Sequence, residues 1–327
     1  MKVILPVAGK GTRLLPVTKE VPKPLIRVAG RPVLDYVVDK LAPLDVEELI
    51  FITGHLKGSI EEYVKTTYDM PTRFVEQKVQ DGTAGAVHLA RSFIDSPVMI
   101  IFVDTVFDAD LTLVNRIEAD GIIWAKEVED YQRFGVVVTD GDGYMQRIVE
   151  KPSEPISKLA NIGLYYVSDW KTLFDGIEAT LAQPQHKGEW FLTEAFQYMI
   201  DNGKKLYTAE VKGWYDCGKV ETLLATNAHL LTVGGARRPE DETSVTVVDP
   251  VYIADGVQLE HCTVGPNVSI EGGTSVKNST VRHTIVGRSS RIERSRIEHS
   301  LIGDGVEVVD GEYDWAVMTR REVGKAP

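Results

Sequence analysis

From residue 253 onward an aliphatic side chain returns every five or six positions: Ile253, Leu259, Val264, Ile270, Val276, Val281, Val286, Ile292, Ile297, Ile302 and Val308. An amphipathic helix repeats every third or fourth residue and a half-buried strand every second, so neither accounts for this spacing. Short straight sides, each with one inward aliphatic and stacked coil upon coil, do account for it and predict a parallel β-helix of the hexapeptide type. At about 18 residues per coil, the span 253–308 predicts roughly three coils. Gly265, Gly287, Gly303 and Gly305 are placed to serve its corners. Ahead of the repeat, residues 232–244 are polar and rich in chain breakers, which reads as a linker. The expected organisation is a first domain over 1–231, a linker over 232–244 and a β-helix over 245–327.

The first domain opens on a short apolar run, residues 3–7, that reads as a buried strand. A turn with Gly9 and Gly11 follows, where the missing Cβ lets backbone N–H groups approach a phosphate. Thr12 adds a hydroxyl and Arg13 a guanidinium fork suited to phosphate oxygens. Ten residues on, Lys23 stands between Pro22 and Pro24, which predicts a stiff, extended backbone presenting the ammonium from a fixed place. Further strand signals at 49–53, 73–77, 97–103, 121–126 and 134–138 alternate with helical ones. That alternation predicts a doubly wound α/β sheet whose ligands sit at the carboxyl ends of its strands. Asp104 directly follows the most apolar strand, where a carboxylate is costly to bury without a partner or a metal.

Composition narrows the classes. A net charge of −12 argues against a nucleic-acid partner, since a phosphate backbone demands clustered cations. A nucleotide substrate needs only a local cationic pocket. The longest apolar runs fall short of a membrane span, and the N-terminus lacks the pattern of a signal peptide, so a cytoplasmic protein without a membrane partner is expected. Two cysteines, Cys217 and Cys262, make neither a disulfide framework nor a four-ligand zinc site. Cys217 reads as a small buried filler rather than a reactive thiol.

Taken together, Gly9-x-Gly11-Thr12-Arg13 and Pro22-Lys23-Pro24-Leu25 resemble the signature of the sugar-1-phosphate nucleotidyltransferases. These enzymes join a sugar-1-phosphate to the α-phosphate of a nucleoside triphosphate and release pyrophosphate. Gln77-x-x-x-Asp81-Gly82-x-Ala84 resembles the base-recognition loop of the thymidylyl- and uridylyltransferases, and the Gln77 amide suits the N3–H and O4 edge of a pyrimidine. Phe134-Gly135-Val136-Val137, Glu150-Lys151-Pro152 and Asn161-x-Gly163-x-Tyr165 resemble the sugar-binding half of the same family. Trp214-x-Asp216-x-Gly218 matches its second metal motif. The usual Gly-Asp pair of the first is here Val103-Asp104, and the usual following Asn is Thr105. The tail resembles the left-handed β-helices that follow some thymidylyltransferase domains.

The resemblance implies a Rossmann-like nucleotidyltransferase domain followed by a short left-handed parallel β-helix. Ala8, Gly9, Gly11, Thr12, Gln77 and Gly82 would bind the nucleotide, and Gly135, Glu150, Lys151 and Asn161 the sugar phosphate. Asp104 and Asp216 would hold Mg²⁺, Arg13 the leaving pyrophosphate and Lys23 the α-phosphate. The reaction implied is glucose-1-phosphate with dTTP, with UTP as the rival triphosphate. A rival of another kind is a bifunctional enzyme whose β-helix transfers an acyl group, with His261, His283 and His299 as candidate bases; a non-catalytic relative is opposed by intact Arg13, Lys23, Asp104 and Asp216. Tyr313 and Trp315, just past the final coil, suggest a homo-oligomer surface. A chain cut after Leu231 is expected to keep a competent cleft.

Overall fold

The computed structural model describes residues 1–238 and 244–325; positions 239–243 of the expected linker lie outside the described residues. Packing gathers the chain into two units. One holds Met1–Gly9, Val37–Val103 and Phe107–Trp214; the other holds Lys10–Tyr36, Asp104–Val106 and the chain from Tyr215 on. The segment bearing Arg13 and Lys23 therefore groups with the β-helix, along other lines than the divisions at 231 and 245. Among the described residues no helix is long and apolar enough to cross a membrane.

The first unit is built on a nine-stranded sheet. In chain order its strands are β1 (Lys2–Pro6), β2 (Glu48–Thr53), β3 (Thr72–Glu76), β4 (Val98–Ile101), β5 (Gly121–Glu127), β6 (Gly135–Thr139), β7 (Met145–Glu150), β8 (Leu159–Val167) and β9 (Leu206–Glu210). They lie in the order β7-β6-β8-β4-β1-β2-β3, and β5 pairs with β8 and β9. β1, β2, β3 and β4 run parallel, which the apolar runs of β1, β2 and β4 anticipate, because a strand covered on both faces has no polar side to alternate. β8 enters antiparallel beside β4. Helices α2 (Lys57–Thr67), α3 (Thr83–His88), α4 (Trp170–Leu181) and α5 (Leu192–Asp201) belong to this unit. Leu173, Phe174 and Ile177 of α4 and Leu192, Phe196 and Met199 of α5 fill its core with Ile4, Ile50 and Ile100 of the sheet.

The second unit contains α6 (Val220–Leu230), a hairpin of Arg27–Val28 with Arg31–Pro32, and the β-helix. Pro32 closes this hairpin, and α1 (Val33–Asp39) starts one residue later. Parallel strands stack on three faces of the β-helix, and all eleven aliphatics of the repeat stand in its ladders. Ile253, Ile270, Val286, Ile302 and Met318 form one column; Val264, Val281, Ile297 and Tyr313 a second; Leu259, Val276, Ile292 and Val308 a third. Val251 pairs with Val268, an offset of 17 residues, while Ser269 with Ile285 and Ile285 with Leu301 are offset by 16. The coil is thus shorter than expected. Faces of five, five and four parallel strands make four to five coils instead of three.

The corners also differ from expectation. Gly265 and Gly305 do take positive φ, but most left-handed corner positions carry side chains: His261, Asn278, Arg294 and Asp310 in one column, Asn267, His283, His299 and Trp315 in another. Gly287 serves close stacking instead, since a Cβ there would lie 2.6 Å from the Gly303 carbonyl carbon. Hydroxyls bind successive coils. Thr274 accepts from the Ser290 amide, Ser279 from Ser295 and Thr284 from Ser300, at 3.0–3.2 Å. Ser290, Ser295 and Ser300 accept in turn from Val306, Gly311 and Ala316. The strand Val323–Lys325 returns antiparallel over Ala316–Met318, so one end edge of the last coil is covered by the chain itself. The described start of the linker is ordered: Leu231–Gly235 continues α6 as a wide turn, and the Arg237 amide and carbonyl bond to Val251 and Ile253 at 2.8 Å.

Candidate active site

In the second unit the loop after β1 folds back on itself. Gly11 adopts a left-handed conformation (φ 63°), and a Cβ on it would meet Thr18 Cγ2 at 2.8 Å and Lys23 Cβ at 3.3 Å. Both the backbone angle and the crowding require glycine. The Thr18 hydroxyl donates to the Gly11 carbonyl at 2.9 Å. Pro22 is extended, but Lys23–Leu25 is a short 3₁₀ turn, closed by Leu25 N–H to Pro22 O at 2.8 Å and Ile26 N–H to Lys23 O at 3.2 Å. The expected extended backbone is therefore a turn, because Pro24 has no N–H to leave unpaired there and its fixed φ suits the first helical positions. Thr12 and Arg13 are exposed on the neighbouring 3₁₀ turn.

Lys23, Asp104 and Asp216 come together in this unit. The Lys23 ammonium lies 3.1 Å from Asp104 Oδ2, with the lysine side chain 14% exposed. The Cys217 amide donates to the Asp104 carbonyl at 2.9 Å, which ties the two carboxylate-bearing segments. Asp216 Oδ1 accepts from the Gly218 amide at 2.8 Å and Oδ2 from the Thr222 hydroxyl at 2.9 Å; Thr226 donates to its carbonyl at 3.0 Å. A Cβ placed on Gly218 would lie 3.5 Å from Lys23 Nζ, so the ammonium borders the Asp216 loop as well. Each Asp216 oxygen keeps a lone pair beyond its one donor, and the Asp104 carboxylate is 45% exposed. Two such carboxylates fit a Mg²⁺ that completes its shell with water and phosphate oxygens. Burial pushes the Cys217 thiol up to about 12, which makes it inert at neutral pH. Among the described residues no ion pair engages Arg13.

In the first unit the base-loop residues gather around Gln77. That side chain is 8% exposed, and its Nε2 donates to Asp81 Oδ1 at 3.0 Å and to the Gly82 carbonyl at 3.4 Å. Gln80 donates to the Ala8 carbonyl at 2.8 Å, which holds this loop against the end of β1. Gly82 lies against the Trp190 backbone. Around Gly9 a Cβ would meet nothing within 4 Å, so a phosphate could reach its backbone.

The sugar-motif residues also meet in this unit. A Cβ on Gly135 would overlap Asn161 Nδ2 and lie 2.7 Å from Thr193 Cγ2 and 2.9 Å from Glu150 Oε2. Asn161 donates to the Gly135 carbonyl at 2.8 Å and accepts from the Tyr165 hydroxyl, so its amide is held by the protein itself. Thr193 donates to Glu150 Oε2 at 3.0 Å. Burial raises the Glu150 carboxyl above its ordinary range, against the opposing pull of Lys151 and Thr193. Lys151 takes a left-handed backbone (φ 44°), with its ammonium 3.7 Å from Glu150 Oε1 and 4.4 Å above the Phe191 ring. Sequence reasoning passed over Thr193, Phe191 and Thr222. Their signal was proximity to motif residues in the run 189–196 and in the first turn of α6.

The nucleotidyl transferase family matches residues 2–233. The chain is 31% identical over 327 residues to the bifunctional protein GlmU of Methanococcus aeolicus, covering 93% of this chain and 78% of that protein. It is 28% identical over 340 residues to the glucose-1-phosphate thymidylyltransferase of Streptomyces antibioticus, covering 94% and 93%. A solved UDP-glucose pyrophosphorylase, complexed with UDP-glucose, superposes with a TM-score of 0.65 at 24% identity, over 71% of this chain and 98% of that one, a likeness of fold. With the motifs in their places and this match over most of its length, the chain belongs to the nucleotidyl transferase family, among the sugar-1-phosphate nucleotidyltransferases.

Proposed function

We propose that this protein joins glucose-1-phosphate to dTTP, giving dTDP-glucose and pyrophosphate, as a cytoplasmic, Mg²⁺-dependent homo-oligomer. The observation that carries the sugar half is the convergence of Gly135, Glu150, Lys151, Asn161 and Thr193. Glu150 accepts a hydrogen bond from a sugar hydroxyl, Thr193 holds that carboxylate and Asn161 the Gly135 carbonyl in place, and Lys151 meets the sugar phosphate. One oxygen of that phosphate attacks the α-phosphorus in line; the bond to the β-phosphate oxygen breaks and pyrophosphate leaves with the electron pair. No proton needs to move at the reacting centre, so the protein contributes orientation and charge. Lys23 offsets charge at the α-phosphate, and Arg13 receives the leaving pyrophosphate. Ala8, Gly9, Gly11 and Thr12 line the phosphates, and Gln77 and Gly82 the base. Asp104 and Asp216 would hold Mg²⁺, which supplies charge neutralisation between the two phosphate groups.

UTP is the second reading, and Gln77 supports it. With Nε2 engaged by Asp81, the amide offers Oε1 to an N3–H that thymine and uracil share. Acyl transfer by the β-helix has less support, because His283 and His299 are stacked at 4.9 Å, and His299 on Trp315 at 5.0 Å, as steps of one corner column. Pyrophosphate release from a panel of triphosphates against several sugar-1-phosphates tests the proposal. Turnover confined to ATP or GTP would overturn it.

A further inference from the structure

We propose that the β-helix coil around Ser269 and Glu271 positions Lys23 for turnover, acting through Asn227 and the hairpin that follows the lysine. This rests on the nucleotidyltransferase reading and deepens it.

Asn227, on α6, is fully buried. Its Oδ1 accepts both the Ala29 amide at 2.8 Å and the Ser269 hydroxyl at 2.7 Å, and its Nδ2 donates to the Asn267 carbonyl at 3.3 Å. One amide side chain thus joins α6, the hairpin tip and a coil of the β-helix. Residue 226, its neighbour in α6, holds the Asp216 carbonyl, so a single helical turn references the hairpin and the second carboxylate to each other.

The hairpin has a second tie to the same coil. Arg27 Nε lies 2.8 Å from Glu271 Oε2, whose side chain is 5% exposed. The approach is poorly aligned, leaving Arg27 Nε and Glu271 Oε1 without hydrogen-bond partners among the described residues. At the tip, Gly30 has φ 81°, and a Cβ there would overlap the Tyr252 ring of the first coil. The other end of the loop also lies on the tail, where Lys19 pairs with Glu322 at 2.6 Å.

Between the anchored hairpin and Lys23 there is only the 3₁₀ turn Lys23–Leu25, stiffened by two prolines and two backbone hydrogen bonds. A turn that short passes a shift at Ala29 or Arg27 on to the ammonium with little loss. Since Lys23 acts on the reacting phosphate, its displacement should slow turnover more than it weakens substrate binding. Asn227, Ser269 and Glu271 are positioning residues on this account, and the expected competence of a chain cut after Leu231 is replaced by the opposite expectation.

The test uses the full chain with Ser269→Ala, Glu271→Gln and the double variant. Steady-state kinetics, thermal midpoints and amide hydrogen exchange over residues 22–32 are measured together. Each single change is expected to lower kcat about fivefold and the double at least about tenfold, with both KM values within about twofold of wild type. Exchange over 22–32 should quicken by about tenfold. Ser269→Thr, which keeps the hydroxyl, should retain wild-type kcat. If the double variant fails to fold, the single variants decide. Lower thermal midpoints with kcat unchanged would mean the coil only stabilises the chain, and would overturn the proposal; so would unaltered exchange. A wild-type protein that releases no pyrophosphate from any substrate pair would instead defeat the functional reading, while the exchange measurement would still judge the clamp.

Discussion

Gly135→Ala tests the sugar constellation with one methyl group. Ordinary van der Waals contact begins at 3.4 Å, so Thr193 Cγ2 at 2.7 Å and Glu150 Oε2 at 2.9 Å must retreat by about 0.7 and 0.5 Å. Asn161 must move further, and it is held by its bonds to Gly135 and Tyr165. Overpacking of this kind costs about 1–3 kcal/mol. At roughly 2–4 °C per kcal/mol for a domain of this size, the thermal midpoint should fall by several degrees and leave the protein folded. Catalysis should suffer more, because misplacing binding groups by about 1 Å can cost roughly 10²-fold. With triphosphate saturating and sugar-1-phosphate varied, pyrophosphate release should show kcat/KM down about 30- to 100-fold. Gly9→Ala is the matched control: with nothing within 4 Å of the added Cβ, its midpoint should not move, and only the triphosphate KM should rise. A Gly135→Ala enzyme with wild-type kcat/KM for the sugar phosphate would refute the assignment of Gly135, Glu150, Asn161 and Thr193 to that substrate.

The remaining expectations concern charge. Asp216→Asn should abolish most turnover with the fold intact, and Thr222→Val, which removes one hydrogen bond to that carboxylate, should weaken Mn²⁺ binding by calorimetry and lower kcat about tenfold; full activity in Asp216→Asn would end the two-carboxylate assignment. Lys23→Met should cost on the order of a few kcal/mol of transition-state stabilisation, seen in kcat with little change in triphosphate KM, and an unchanged kcat would count against its role at the α-phosphate. The Glu150 carboxyl is raised by burial, so the folded state holds its proton more tightly than the unfolded chain does. Its ionisation therefore costs stability above the raised value, and that cost disappears as pH falls toward the ordinary carboxylate range. Thermal midpoints across weakly acidic pH should show this slope in wild type and lose it in Glu150→Gln; equal slopes would mean the carboxyl is not perturbed.

Features with local spacing were legible in the sequence. The columns led by Ile253, Leu259 and Val264 follow directly from the five- and six-residue intervals, and successive triplets of those intervals already sum to the 16- and 17-residue coils found. Taking a generic coil length instead gave too few turns. The left-handed corners at His283, His299 and Arg294 were not legible, because stacking and ion pairing between coils make such side chains tolerable where glycine would be the default. The union of the Lys23 loop with the tail was hidden for another reason. It depends on Asn227 meeting Ala29, 198 residues away, and Ser269, 42 away, and no periodicity marks a single buried amide. Thr222 escaped notice as an ordinary first-turn residue.

The hydroxyl ties between coils limit how the tail can change in length. Each of Thr274, Ser279 and Thr284 accepts from a residue 16 positions on, and Ser290, Ser295 and Ser300 repeat the arrangement one level up. Losing one residue from a straight side would throw every tie that spans it out of register and turn the next inward aliphatic toward water. Removing a whole coil between two equivalent corners would leave each remaining hydroxyl facing an equivalent amide. Descendants of this chain should therefore gain or lose tail in steps of one turn, while point insertions collect only at corners whose side chains face solvent.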